Sequence, residues 1–199
     1  MTPAQPSSAM IHTRLEDGTP VCIRTPGPGD LMLMREGLGK MSARSLYLRF
    51  FSGARTPPDW VIDRLLDVDG HDHLAWGAIA SDRDGKPAIG AVHAFRSQDH
   101  PECAEFSVAV LDEFHGLGLG KLLTATILLD AAGEGLTDFT ANTLSENASA
   151  IDFTKSLGGH LTARDGAVNT YSFDIAEAVE RLRLECDPPG IAEVFNVLG

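Results

Sequence analysis

Cysteine, positive charge and long apolar runs are all scarce in this chain, and each scarcity removes a class of protein. The three cysteines, Cys22, Cys103 and Cys186, are odd in number, far apart and form no CxxC pair. That argues against a disulfide framework or a zinc knuckle and leaves reduced, partly buried thiols. Only 16 Lys and Arg stand against 28 Asp and Glu, a formal charge of −12. Such a field repels nucleic acid and anionic membrane, so neither is an expected partner. No apolar run has the length of a membrane span, and MTPAQPSSAM has neither the basic start nor the apolar middle of a secretory leader. A cytoplasmic protein is expected. A GxxxxGK[ST] Walker loop is missing, as is any internal repeat. The acid-rich DVDGHDH, 67–73, lacks the Gly and Glu positions of an EF-hand; it reads as a capped helix end, and no metal is expected.

What is there is 199 residues with 43% hydrophobic content, enough for one well-buried domain. Residues 1–9 are Pro/Ser-rich and read as a flexible N-terminus, with a single domain over 10–199 that carries a C-terminal helical extension from about 176. Two alternating runs around Asp17-Gly18 predict a hairpin. A helical block follows, with Asp30 as a cap and proline opening PPDWVIDRLLDV. From His73 the period changes to that of strands: HLAWGAIAS, PAIGAVHAFRS and AEFSVAVL form an antiparallel meander. A helix over 118–132, the strand TDFTANTLS, a helix over 147–157, strands near 161–164 and 168–174 and a helix near 176–184 complete the order. The class is α+β, or mixed α/β.

The stretch EFHGLGLGKLLTATILL places Gly116, Gly118 and Gly120 at the mouth of an apolar helix. Glycine lets backbone approach a ligand, and the first turn of a helix offers unpaired N–H groups and the positive end of its dipole, so an anion such as phosphate is the natural guest. A tight strand-to-helix turn without any ligand also uses glycine, so the glycines alone leave both readings open. A dinucleotide fingerprint fits poorly, because antiparallel strands precede the loop.

The order of elements and these residues together resemble the GNAT superfamily of acyl-CoA-dependent N-acetyltransferases, over roughly residues 20–175. The pyrophosphate motif Q/R-x-x-G-x-G/A is similar to His115 through Gly120, with His115 where Gln or Arg is usual and Leu117 where Arg is common. NASAIDFTKSLGG resembles the second signature at Asn147, Ala150, Ile151 and Gly158, with Gly159 in place of the aromatic. SARSLYLRFF and AEFSVAV look like the catalytic domain of bacterial Pat-type protein lysine acetyltransferases.

The resemblance implies a mostly antiparallel sheet of about six or seven strands flanked by helices and splayed at the acyl-CoA site. It implies acetyl-CoA as co-substrate, with the pyrophosphate on the amides of Gly116, Leu117, Gly118, Leu119, Gly120 and Lys121, beside His115, and with Lys121 adding the nearest positive side chain. A bulky residue in place of Gly118 is expected to block the phosphates without unfolding the protein. Val108, Ala109 and Val110 would meet the pantetheine as an added strand. Asn147 and Ala150 would touch the pantetheine arm, Asn147 also serving as a helix cap. Glu105 is the expected base, on a strand face shared with Ser107 and Ala109 that suits a cleft lining, where partial burial would raise its pKa. The tyrosine that often protonates the leaving thiolate is replaced by Thr154, as in Pat-like members, which leaves that step to solvent. His93, His100, Cys103 and Tyr47 read first as packing or surface residues. The implied activity is acetyl transfer to a primary amine, with a protein lysine as first acceptor. A small amine is the alternative, and so is a GNAT-fold sensor that binds acyl-CoA without turnover.

Overall fold

Alternation of inward and outward side chains makes MIHTR and PVCIR into the hairpin β1 (Met10–Arg14) and β2 (Pro20–Arg24), with Ile11, Thr13, Val21 and Ile23 buried. The computed structural model describes residues 7–54 and 56–199. The segment expected to be flexible, 1–9, thus lies outside the described residues up to residue 6. After a short 3-10 turn come α1 (Leu31–Lys40), α2 (Ala43–Phe50) and α3 (Asp59–Leu66). Strands β3 (His73–Ala80), β4 (Ala88–Arg96) and β5 (Cys103–Val110) follow as an antiparallel meander. Then come α4 (Leu119–Gly133), β6 (Asp138–Leu144), α5 (Ala148–Ser156), the hairpin β7 (His160–Asp165) and β8 (Val168–Asp174), α6 (Ile175–Glu185) and α7 (Ile191–Leu198).

These form one sheet in the order β1-β2-β3-β4-β5-β6-β8-β7. Its eight strands among the described residues are the eight segments whose sequence reads as strand, against the six or seven that the resemblance implies; the two C-terminal strands pair with β6 and with each other. Every contact between neighbours is antiparallel except β5 with β6.

Strand parity assigns the two faces. Trp76 and Val92 point toward α4, where the Trp76 indole N–H donates to Asp130 at 2.8 Å. Burial raises the pKa of Asp130, and the indole bond opposes that rise. Helix α4 is apolar nearly all round because it packs on the sheet with one side and on α6 and α7 with the other. The opposite face, with Ala91 and His93, lies beneath α1 and α2, and Arg64 of α3 stacks over Phe95 at 4.7 Å. Leu38, Leu46, Ile62 and Leu66 knit these three helices into their own small core.

The parallel contact positions the site. Strands β5 and β6 pair from Cys103/Asp138 to Glu105/Thr140 and then separate, β5 staying with β4 and β6 with β8. Phe106, Phe139 and Phe173 lock the root of this fork, with ring centroids 5.5 to 5.9 Å apart, each such pair contributing about 0.5–1.5 kcal/mol beyond its buried area.

Candidate functional site

Beyond Glu105 the edge of β5 away from β4 has no strand beside it among the described residues. The Leu111 N–H donates to the Ile89 carbonyl, toward β4, at 2.9 Å. Backbone groups alternate sides along a strand, so Ala109 and Ser107 also face β4, while Phe106, Val108 and Val110 face the gap. Val108 and Val110 therefore turn peptide groups outward, and Ala109 contributes only its side chain. His115 takes one of those groups: its Nε2–H donates to the Val110 carbonyl at 2.9 Å.

The other wall is the turn after β5. Gly116 and Gly118 adopt φ of +73° and +80°, a left-handed conformation that other residues resist. With it, successive N–H groups converge and form an anion-binding concavity. The first helical bond of α4 runs from Leu122 N–H to the Gly118 carbonyl. Among the described residues, none of the six N–H groups from Gly116 to Lys121 donates a hydrogen bond. They lie at the mouth of a fifteen-residue helix, where its dipole favours negative charge.

Between the walls lies a cleft of about 610 Å³. Val108, Ala109 and Val110 line it, as do His115, Gly116, Gly118, Leu119 and Gly120, with Asn147 and Ala150 on the α5 side. Asn147 caps α5, its side-chain oxygen accepting the Ala150 N–H at 3.2 Å. The Thr154 hydroxyl donates to the Ala150 carbonyl at 2.8 Å and is buried. At Gly159 a Cβ would approach the Thr154 carbonyl to 2.6 Å, so this backbone leaves no room for an aromatic side chain.

Three expected participants sit differently. Leu117 is not a cleft wall; it packs against the core, and its carbonyl accepts the Glu16 N–H at 3.2 Å. Lys121 turns its ammonium to Glu185 at 2.6 Å and Asp187 at 2.9 Å. Burial tends to lower the Lys121 pKa, but the two carboxylates raise it overall. The positive potential at the loop therefore comes from amides, with Lys121 neutralised by the C-terminal segment. Glu105 is exposed rather than partly buried, and it stands at the base of the fork, outside the cleft walls.

Sequence reasoning missed what holds Glu105. The Thr170 hydroxyl donates to Asn142 Oδ1 at 2.8 Å, which turns the amide Nδ2 toward Glu105 Oε1 at 3.4 Å. It also missed Arg49, on the cleft wall contributed by α2. Among the described residues this guanidinium has no ion pair; burial lowers its pKa to about 10, and the charge of Glu105 opposes the fall. Asn142 lies one alternation along β6 from Thr140, the partner of Glu105, a neighbourhood that arises only when β5 and β6 pair. Nothing in SARSLYLRFF set Arg49 apart from Arg44, which pairs with Glu146 at 3.3 Å.

His93 is fully buried beside this group. His73 Nδ1–H donates to the Asp67 carbonyl at 2.8 Å, so its Nε2 accepts from His93 Nδ1 at 3.0 Å and His93 Nε2 is left as an acceptor. Burial first, then the charge of Arg49 and the nearness of His73, push the His93 pKa well below the usual histidine value. His100 lies at the surface near Glu102, and burial together with Glu102 and Asp138 raises the Cys103 thiol pKa, which disfavours a thiolate. In the acid-rich stretch, Asp69 accepts the N–H groups of His71, Asp72 and His73, a backbone turn. No group of three or more potential metal ligands occurs among the described residues.

Helix α2 is tied over the cleft by Asp112, whose carboxylate accepts the Ser42 N–H at 3.0 Å and the Ser42 and Ser45 hydroxyls at 2.9 and 2.6 Å. Burial alone would raise the Asp112 pKa, but these bonds hold it down at about 2. The folded value lies below the ordinary 3.8, so this stabilisation is present above that value and is lost as pH falls through about 2. Asp112→Ala is expected to lower Tm by a few degrees at neutral pH, with the gap to wild type closing near pH 2. A gap of constant size would place the effect in something other than the carboxylate charge.

Comparison with known proteins follows the same outline. Residues 41–158, more than half of the chain, match the Acetyltransferase (GNAT) family. The chain is 26% identical over 165 residues to the acetyltransferase Pat of Mycolicibacterium smegmatis, covering 83% of itself and 49% of that protein. It thus spans about half the length of this relative. The GNAT domain of S. lividans PAT superposes with a TM-score of 0.77 at 22% identity, covering 85% of this chain and 98% of that one. A spermidine N-acetyltransferase from Vibrio cholerae, solved with CoA and spermine, superposes with a TM-score of 0.62 at 14% identity, covering 80% and 98%. No helix among the described residues is long and apolar enough to cross a membrane.

Proposed function

Since the chain belongs to the acetyltransferase (GNAT) family, we propose that it transfers an acetyl group from acetyl-CoA to a primary amine, with a protein lysine as first acceptor and residues 10–199 working as one catalytic unit. The observation that carries this reading is the pairing of the N–H groups of Gly116, Gly118, Leu119 and Gly120, without a hydrogen bond among the described residues, with the open edge of β5 in one cleft. The first suits a pyrophosphate, and the second suits a chain of amides that adds to a sheet as a strand would. Open space around a Cβ at Gly116 and at Gly120 leaves room for the phosphates to approach the backbone.

Acetyl-CoA supplies an activated thioester carbon. The chain's part is to hold it and to take a proton from the acceptor's ammonium, so that a neutral amine meets that carbon. Glu105, aimed by Asn142 and Thr170, accepts that proton directly or through one water. Thr154 does not take over the missing tyrosine's role, because its hydroxyl already donates to Ala150; the sulfur of the departing CoA takes its proton from solvent.

A formal charge of −12 favours cationic acceptors, and the chain's kinship with a protein named Pat supports lysine over a small amine. The test is thiol release and acceptor mass with acetyl-CoA across lysine peptides, polyamines and aminated drugs, repeated from low to physiological ionic strength. Lysine peptides in basic surroundings are expected to react best, with kcat/KM falling as salt rises. Preference for a polyamine would move the acceptor to the small-amine class, and a flat salt profile would remove charge steering.

A further inference from the structure

A second cavity, of about 90 Å³, lies between α1 and the sheet on the face opposite α4, and no step above uses it. Leu33, Met34 and Leu38 of α1, Phe50 of α2, Leu65 of α3 and Ala91 of β4 give it apolar walls. It shares Met41, Arg49, Ala109 and Val110 with the cleft, so the two spaces meet across the β5 segment assigned to the pantetheine.

The charged groups on its walls decide what enters. Arg24 and Asp30 neutralise each other at 2.5 Å. His93 is held neutral by burial. Arg49 is the remaining charge on these walls, a cation without an ion pair among the described residues, and it repels an ammonium. The amine therefore does not come this way, while an uncharged hydrocarbon chain loses nothing by entering. At about 90 Å³ the space is smaller than the roughly 150 Å³ apolar cavity that accommodates benzene, which fits a chain of a few carbons and not a long fatty acyl group.

We propose that this cavity receives the hydrocarbon end of acyl groups longer than acetyl, making short-chain acyl-CoA thioesters such as butyryl-CoA substrates of the same site. The inference rests on the acyl-CoA reading of the cleft. The transfer is unchanged in its balance: the thioester C–S bond breaks, an amide C–N bond forms, one amine proton passes to Glu105 or water, and CoA leaves as the thiol after protonation by solvent.

Two readouts test it on the whole chain, thermal stabilisation by each thioester and kcat/KM from thiol release. Wild type is expected to be stabilised by butyryl-CoA at least as well as by acetyl-CoA and to turn both over. Ala91 touches the cavity and not the cleft. Ala91→Leu should fill the space and lower use of butyryl-CoA by about tenfold relative to acetyl-CoA, the scale of two methylenes denied burial. Met34→Ala, which enlarges the same space, should raise the relative use of hexanoyl-CoA and serves as the reading if Ala91→Leu does not fold. Stabilisation by acetyl-CoA but not butyryl-CoA overturns the cavity inference alone, as do variants that leave the acyl preference unchanged. If neither thioester stabilises the protein, the cleft reading fails and the cavity inference falls with it.

Discussion

Glu105→Gln is expected to lower the acetylation rate by about 10² to 10⁴, the usual loss when a general base is removed, while CoA binding stays as it was. Glu105 is the last residue of β5 paired with β6, so its backbone is held on both sides while its side chain reaches solvent at the base of the fork. Asn142 touches it through an amide whose orientation the Thr170 hydroxyl sets. Glutamine preserves that shape and can still bond Asn142, so the difference isolates basicity. In wild type kcat/KM should rise with pH along a limb that the variant flattens, and amines of lower intrinsic pKa should suffer less from the change. Asn142→Ala should give a smaller loss in kcat with the same limb, because it disturbs the aim of the base and not its chemistry. Wild-type rates for Glu105→Gln across the pH range would assign the proton to water. Binding of CoA by both proteins without turnover of any amine would favour the acyl-CoA sensor.

The parts of this molecule that were legible in the sequence are those written by local periodicity. Alternation gave the β1/β2 hairpin and the β3–β5 meander, and the run of glycine before LLTATILL gave the start of α4 within a residue. The second signature marked α5 and its Asn147 cap because capping is local chemistry. What escaped depends on which strands become neighbours. The β5/β6 fork arises from residues more than thirty apart, so neither Asn142 beside Glu105 nor Arg49 facing it could be read from spacing. Lys121 misled for the same reason: its carboxylate partners, Glu185 and Asp187, lie in the C-terminal segment that α7 packs back onto α4 and β1. The small residues on its face of β5 suited Glu105 to a cleft lining, yet the side chain stands exposed where β5 and β6 begin to part.

The largest binding effect is expected at Gly120. A ligand that binds only the folded protein adds about 2.7 kcal/mol of stability at a hundredfold excess over its Kd, so acetyl-CoA should raise Tm clearly in wild type. Gly118, the residue the sequence singles out for blocking the phosphates, is a poor probe. Its φ of +80° strains any side chain, and a Cβ there would come within 2.6 Å of Pro188, so Gly118→Val damages the fold before it tests the site. Gly120 has neither defect: its φ is not left-handed, a Cβ meets nothing within 4 Å, and the residue lines the cleft. It sits in the first turn of α4, where valine is intrinsically no worse than glycine. Gly120→Val should therefore keep or slightly raise the Tm of the free protein while its branched side chain occupies the space before the free amides, abolishing stabilisation by CoA. Gly120→Ala should show an intermediate shift, since one methyl obstructs less than three carbons. Equal stabilisation of wild type and Gly120→Val would mean that the six unpaired N–H groups are a feature of a tight strand-to-helix turn, and that CoA, if it binds, is held elsewhere.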